Sequence, residues 1–119
     1  VSVGDNCKIQ NNCLIYEGVS MDDDVFVGPN VVTTNDLYPR VDGDWKKDRF
    51  FHTKFCKGAS IGANSTIICG VTLYKNCMIG AGTVVTHDVD EDTLVMGVAG
   101  KPYKYMDKVI TKHKEERNG

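Results

Sequence analysis

The sequence predicts an all-β fold, a left-handed parallel β-helix with a projecting loop and a short C-terminal helix. Two observations carry most of that prediction. Apolar residues recur every six positions at Val3, Ile9, Ile15, Met21 and Val27, and again at Phe55, Ile61, Ile67, Leu73, Ile79 and Val85. Four residues after each stands a small or β-branched one: Cys7, Cys13, Val19, Val25 and Val31, then Ala59, Ser65, Val71, Cys77, Thr83 and Val89. A pair of inward positions spaced by four and repeating by six fits neither a helix of period 3.6 nor a long strand of period 2. It fits short strands joined by sharp turns, three of which close one coil, with coils stacking as parallel strands. The register is expected to hold without a slip from Phe55 to Val89. A right-handed β-helix, with longer and less regular coils, fits less well.

The elements follow in order. Residues 1–33 read as the first coils, and residues 55–97 as the rest. Val1 stands where Met is expected and the repeat is already running at Val3, so the reading is of a piece of a longer polypeptide. Residues 34–54 break the period with Pro39, Gly43, a charged run and the aromatics Tyr38, Trp45, Phe50 and Phe51. Such a segment cannot fit inside a coil and is expected to project from a corner; long loops on rigid scaffolds tend to carry function. Residues 98–119 read as a capping helix and tail. Pro102 suits a first helical position, and Tyr103, Met106, Ile110 and His113 follow at helical spacing.

Bulk composition narrows the function. The 119 residues allow one domain, and a net charge of −2 offers no nucleic-acid footprint. No apolar stretch is long enough to span a bilayer, and the residues at the start of the chain are not expected to form a signal peptide. Of five cysteines, Cys7, Cys13 and Cys77 fall on the small inward position, and no C-x-x-C pair occurs. Reduced structural thiols point to a cytoplasmic protein. Three histidines converging on a metal are not expected, because only His87 lies within the coils.

Certain segments are more specific than the repeat: Ile15-Tyr16-Glu17-Gly18-Val19, Asp24-Val25-Phe26-Val27-Gly28-Pro29-Asn30-Val31-Val32, and Thr34-Asn35-Asp36-Leu37-Tyr38-Pro39-Arg40. With Lys57–Ile67 and Ile79–Thr86 they make residues 4–105 resemble the hexapeptide-repeat acyltransferases, most of all the nucleotide-sugar N-acetyltransferases. The resemblance implies a homotrimer with active sites between subunits, acetyl-CoA as co-substrate, no metal, and a nucleotide-linked amino sugar as acceptor. It implies that acetyl-CoA lies along an intersubunit groove past Ala63 and Ala81, which are one coil apart. Thr86 then lies near the pantetheine arm and Lys101 near the CoA phosphates. The family's Gly-Val-Pro-Ala-Lys is here Gly97-Val98-Ala99-Gly100-Lys101.

Asn35 is the first candidate for holding the acceptor amine, and Glu17 the second. Related O-acetyltransferases place a histidine in this neighbourhood, since a hydroxyl needs a general base. Here the run is Thr34-Asn35-Asp36. A neutral amine is the stronger nucleophile, so the missing histidine favours N- over O-acetylation. The alternatives are an O-acetyltransferase using His52 or His87 as base, and a non-catalytic scaffold.

Overall fold

A computed structural model describes residues 1–41 and 51–105, the side chains of residues 103–105 excepted. Its strands are mostly two residues long and fall into three sheets that the chain visits in cyclic order. The first sheet pairs β1 (Ser2–Val3), β3 (Val19–Met21), β6 (Thr53–Phe55) and β9 (Thr72–Leu73), all parallel. The second pairs β2 (Lys8–Ile9), β4 (Phe26–Val27), β7 (Ser60–Ile61), β10 (Met78–Ile79) and β12 (Thr93–Met96), again parallel. The third pairs β5 (Val32–Thr33), β8 (Thr66–Ile67) and β11 (Val84–Val85), with Leu14 bridging to Val32 ahead of them. A regular circuit returns a strand beside its predecessor 18 residues on, as in Ser2↔Ser20 and Ser60↔Met78.

The six-residue period is therefore one strand and one corner. Its apolar positions fill the space between the sheets: Val27, Phe55, Ile61, Ile67 and Leu73 are completely buried. Thr33 takes the same position on β5 and is just as buried. Its hydroxyl donates to the Leu14 carbonyl at 3.2 Å and accepts the Tyr16 N–H at 2.9 Å, which offsets the cost of burying it. Val3 and Ile9 stay about half exposed, at 47% and 43%, because their circuit has a neighbour on one side only. The small inward positions do more than save space. Cys13 donates to Gly28 O at 3.1 Å and Ser65 to Gly80 O at 3.0 Å, so each reaches a corner carbonyl of the next circuit.

Three expectations change. The helix predicted from Pro102 is instead β13 (Lys101–Tyr105), antiparallel to β12. An edge strand whose ladder groups would otherwise be unpaired outweighs helical spacing, and Pro102 sits beside a register shift where a proline is tolerated. The remainder of that predicted helix, residues 106–119, lies outside the described residues. The strand after the interruption begins at Thr53 rather than Phe55, so the inserted segment is residues 34–52. It joins β5 of the third sheet to β6 of the first, which assigns it to the third–first corner.

The third change is a slip of register at Val89. Val89 pairs with Leu73, 16 residues back, rather than occupying the small position in line with Val71. The corner before it is two residues short, and the Asp88 carboxylate accepts the Thr72 N–H at 2.8 Å where a backbone carbonyl serves in the preceding circuit. Among the described residues no helix is long and apolar enough to cross a membrane.

Candidate active site

The predicted site residues sort onto two corners that flank the third sheet. The second–third corner carries Ala63 and Ala81, half-buried and exposed respectively. The two stack as expected: Gly82 N–H donates to Ala63 O at 2.8 Å, and Gly62 packs so tightly on the next circuit that an added methyl would lie 2.6 Å from the Ala81 nitrogen. Lys101 belongs to the same stack. The turn at residues 97–100 folds onto the end of the third sheet through Gly97 O, which accepts Val84 N–H at 3.1 Å, and Gly100 N–H, which donates to Val84 O at 2.6 Å. That docking carries exposed Lys101 to the start of β13, opposite Met96. At the other end of this corner Ile9, Gln10, Asn11 and Pro29 line a shallow open groove.

The third–first corner carries Glu17, Asn35 and Thr86. Glu17 is exposed on the turn after Ile15, and Asn35 is half-buried one residue past Thr34. The inserted segment returns beside both. Phe51 N–H donates to Asn35 O at 3.2 Å, and Thr53 N–H donates to Gly18 O at 2.9 Å. A Cβ on Gly18 would lie 3.3 Å from Phe51 O and 4.0 Å from the His52 Cα, so His52 stands next to the Glu17-Gly18 turn. His52 is exposed.

Thr86 lies further along this same corner rather than beside Ala63 and Ala81. Its hydroxyl is 2.9 Å from the Nδ1 of the neighbouring, exposed His87. His87 is two circuits beyond the inserted segment, roughly 10 Å at about 4.8 Å per strand spacing. A ligand touching both corners has to cross the outer surface of the third sheet, where Leu14, Val32, Thr66 and Val84 form a row of mainly apolar side chains. Otherwise one of the two corners has to come from a second copy of the chain.

The inventory of site residues missed three hydroxyls. Thr34 Oγ1 accepts the Cys69 N–H at 2.9 Å, Thr53 Oγ1 accepts the Gly70 N–H at 3.1 Å, and Thr33 serves Tyr16 as described. A threonine on either stem of an insertion is a signal the sequence does contain. The remaining corner, first–second, holds Cys56 and Cys77. Burial pushes the Cys77 thiol up to about 12, so it is not a nucleophile at neutral pH. Burial also raises Cys56, against a lowering by Lys54 and with a further raise from Asp22. Among the described residues no group of three or more His, Cys, Asp or Glu is arranged to hold a metal ion.

Comparison with known proteins agrees with the repeat architecture. Residues 1–35 match the family model for the bacterial transferase hexapeptide (six repeats), and residues 57–87 match that for the hexapeptide repeat of succinyl-transferase. The bifunctional protein GlmU of Thermotoga maritima is 36% identical over 116 residues, 97% of this chain and 23% of its own length. A dTDP-3-amino-3,6-dideoxy-alpha-D-galactopyranose 3-N-acetyltransferase of Aneurinibacillus thermoaerophilus is 46% identical over 50 residues, 42% of this chain and 26% of the relative. A serine acetyltransferase of Bacillus licheniformis is 27% identical over 101 residues, 85% of this chain and 38% of the relative. Among solved structures, a hexapeptide-repeat acetyltransferase of Vibrio cholerae complexed with acetyl coenzyme A superposes with a TM-score of 0.76 at 27% identity, covering 87% of this chain and 59% of that one. The chain thus spans well under half the length of these curated relatives. Both matched stretches coincide with the three-sheet circuits, and residues 1–35 and 57–87 carry the hexapeptide repeats described for bacterial transferases.

Proposed function

We propose that the chain forms a left-handed parallel β-helix whose trimer transfers acetyl from acetyl-CoA to the amino group of a nucleotide-linked amino sugar, at C3 or C4, for cell-envelope polysaccharide in the cytoplasm. The observation that carries the reading is the base of the inserted segment. There Asn35, not a histidine, follows the third sheet, with Glu17 on the adjoining turn and Asn35 O tied to Phe51 N–H at 3.2 Å. The relative named as a sugar 3-N-acetyltransferase, 46% identical over its matched 50 residues, supports an amine acceptor.

In this reading acetyl-CoA lies along the Ala63 and Ala81 corner, with Lys101 near its phosphates. Small side chains there leave backbone groups open to the amides of the pantetheine arm. Thr86, on the other corner, reaches that arm from a neighbouring subunit. The acceptor amine, neutral, attacks the thioester carbonyl; the C–N bond forms, the C–S bond breaks, and the thiolate takes up the proton that nitrogen releases. Asn35 and Glu17 hold the amine in line, a contribution of position rather than of basicity. The trimer places one subunit's third–first corner against the next subunit's second–third corner and buries the apolar row of the third sheet. Light scattering should give about three times the 13.1 kDa of one chain.

A second reading, O-acetylation of a sugar or serine hydroxyl, is favoured by one observation: His87 and Thr86 make a side-chain contact at 2.9 Å on an exposed corner. The serine acetyltransferase relative gives it further weight. A thiol-release assay on UDP- and dTDP-linked amino sugars beside their hydroxyl counterparts separates the two. Turnover confined to hydroxyl acceptors, lost on changing His52 or His87 and indifferent to Asn35→Ala, would overturn the proposal. Absence of turnover on either class, with acetyl-CoA not bound, would instead support a non-catalytic scaffold.

A further inference from the structure

The inserted segment leaves and rejoins the coil through two threonines. Thr34 is the last residue before Asn35, and Thr53 is the first after His52. Their hydroxyls accept the consecutive backbone N–H groups of Cys69 and Gly70, at 2.9 and 3.1 Å, in the circuit below. Thr53 is 1% exposed, and Thr34 is half-buried. Among the described residues the stems are also joined by Phe51 N–H to Asn35 O. The Phe51 side chain then lies over Gly70, where an added methyl would sit 3.4 Å from Phe51 Cβ.

We infer that Thr34 and Thr53 are positioning residues that hold Asn35 and His52 opposite each other across the base of the inserted segment, so that the acceptor is gripped between its two stems. The inference rests on the proposed acetyl transfer to an amine at Asn35. The argument is geometric. A segment of 18 residues between the two threonines imposes little by itself on the separation of its ends, because loop-closure cost grows only slowly with length. Backbone bonds from Thr34 N–H to Ile67 O and from Thr53 N–H to Gly18 O root each stem in the coil, and the two hydroxyls, bonded to adjacent amides of one turn, tie both stems to a common point. Reacting groups are held productively only when such supports are rigid, and a displacement of about 1 Å costs on the order of 100-fold in rate. Threonine suits the task because β-branching leaves few χ1 states to lose. Serine keeps the oxygen, whereas valine keeps the shape and removes it.

The test compares T34V and T53V with T34S and T53S, made in the full chain. Each valine variant is expected to lower kcat on the best amine acceptor by roughly tenfold, with KM for acetyl-CoA unchanged, because its corner is not touched. The serine variants should recover to within about twofold of the parent. Hydrogen exchange supplies a readout independent of turnover: the amides of Cys69, Gly70 and Phe51 should exchange at least tenfold faster in the valine variants, while those of Thr66 and Val84 stay protected. Valine variants with parental kcat, serine variants as impaired as valine, or an unchanged Phe51 amide would each overturn the inference. A parent that acetylates only hydroxyl acceptors would sink the amine reading alone, since the valine–serine comparison then runs on that acceptor and the exchange result stands unaltered.

Discussion

Replacing Gly62 with alanine tests how the circuits approach one another. A methyl at that position would lie 2.6 Å from Ala81 N, 2.8 Å from Ile79 O and 2.9 Å from Ala81 Cα, all of them backbone atoms that no rotamer can move. The two circuits have to separate, straining the Gly62 N–H bond to Ile79 O and the Gly82 N–H bond to Ala63 O, both 2.8 Å. Overpacking costs about 1–3 kcal/mol and each weakened hydrogen bond adds up to about 1 kcal/mol. The sum, about 3 kcal/mol, should lower Tm by roughly 10–15 °C for a chain of this size. Gly82→Ala is the control. Its Cβ would meet nothing within 4 Å, so only the positive φ of 70° opposes it, at about 1 kcal/mol and roughly 5 °C. Gly82→Asn should be nearly neutral, since asparagine holds the equivalent corner position at Asn64 with a φ of 60°. Thermal melts followed by circular dichroism check all three. A G62A variant melting within about 3 °C of the parent, or below it by less than G82A, would refute the close-approach argument.

Further outcomes are expected. Asn35→Ala should lower kcat on an amine acceptor by roughly tenfold, measured by thiol release. Ala63→Leu or Ala81→Leu should weaken acetyl-CoA binding in calorimetry while light scattering still reports the parental oligomer. Ile67→Ala, at a completely buried position, should cost about 2–5 kcal/mol in urea unfolding through the cavity it leaves. Cys77 keeps its proton in the folded chain well above its ordinary value of 9.0, up to about 12, whereas the unfolded thiol ionises near 9. Above pH 9 the unfolded state binds fewer protons, so this group's contribution to stability falls as pH rises between 9 and 12, by at most about 1.4 kcal/mol per unit. The stability difference between C77V and the parent should therefore shift in favour of C77V over that window and stay flat below pH 8.

The period-six pattern made the circuits legible because each inward side chain is fixed by a space between three sheets, and buried positions such as Ile61 and Leu73 tolerate little else. A second signal runs at the same period. The third residue after each apolar position before Val85 is Asn, Asp or Gly, at Asn6, Asn12, Gly18, Asp24, Asn30, Gly58, Asn64, Gly70, Asn76 and Gly82, and each has a positive φ. Those residue types are the ones that enter the left-handed region at low cost. The errors lay where periodicity ends. Tyr103 sits at a spacing that suits a helix face, yet the ladder on either side of it, Leu94 with Lys104 and Val95 with Pro102, decides the matter from outside the local sequence. Val89 kept the right spacing on the wrong register because Asp88 supplies a side-chain oxygen to Thr72, a substitution no apolar pattern reports. For the site, the stacking of Ala63 over Ala81 followed directly from an interval of one circuit. That Thr86 stands on the opposite corner also follows from counting sixes, since residues 63 and 81 occupy one turn of the cycle and residue 86 the next.

Both departures from the 18-residue circuit fall on the third–first corner. Phe26 pairs with Ser60, 34 residues on, across the insertion; Met78 pairs with Leu94, 16 residues on, across the shortened turn. In each case a side-chain oxygen serves an N–H at the altered corner: Thr34 and Thr53 serve Cys69 and Gly70, and Asp88 serves Thr72. An unpaired amide there would cost about 1–3 kcal/mol, so a length change without such an oxygen would be opposed by the ladder itself. The second–third corner shows the reverse arrangement. Its small residues and backbone bonds stack in strict register, as Gly82 N–H to Ala63 O and Asn64 N–H to Pro29 O show. A long cofactor that runs parallel to the coil needs that regularity, whereas acceptor recognition needs a variable segment rooted in a rigid wall. In the proposed reading, dividing the two tasks between two corners of one coil would let the acceptor side change in length and sequence without disturbing the donor side. The returning stem brings His52 beside the Glu17-Gly18 turn and next to Phe51, whose N–H bonds Asn35 O, although Asn35 and Glu17 lie a full circuit apart in the sequence.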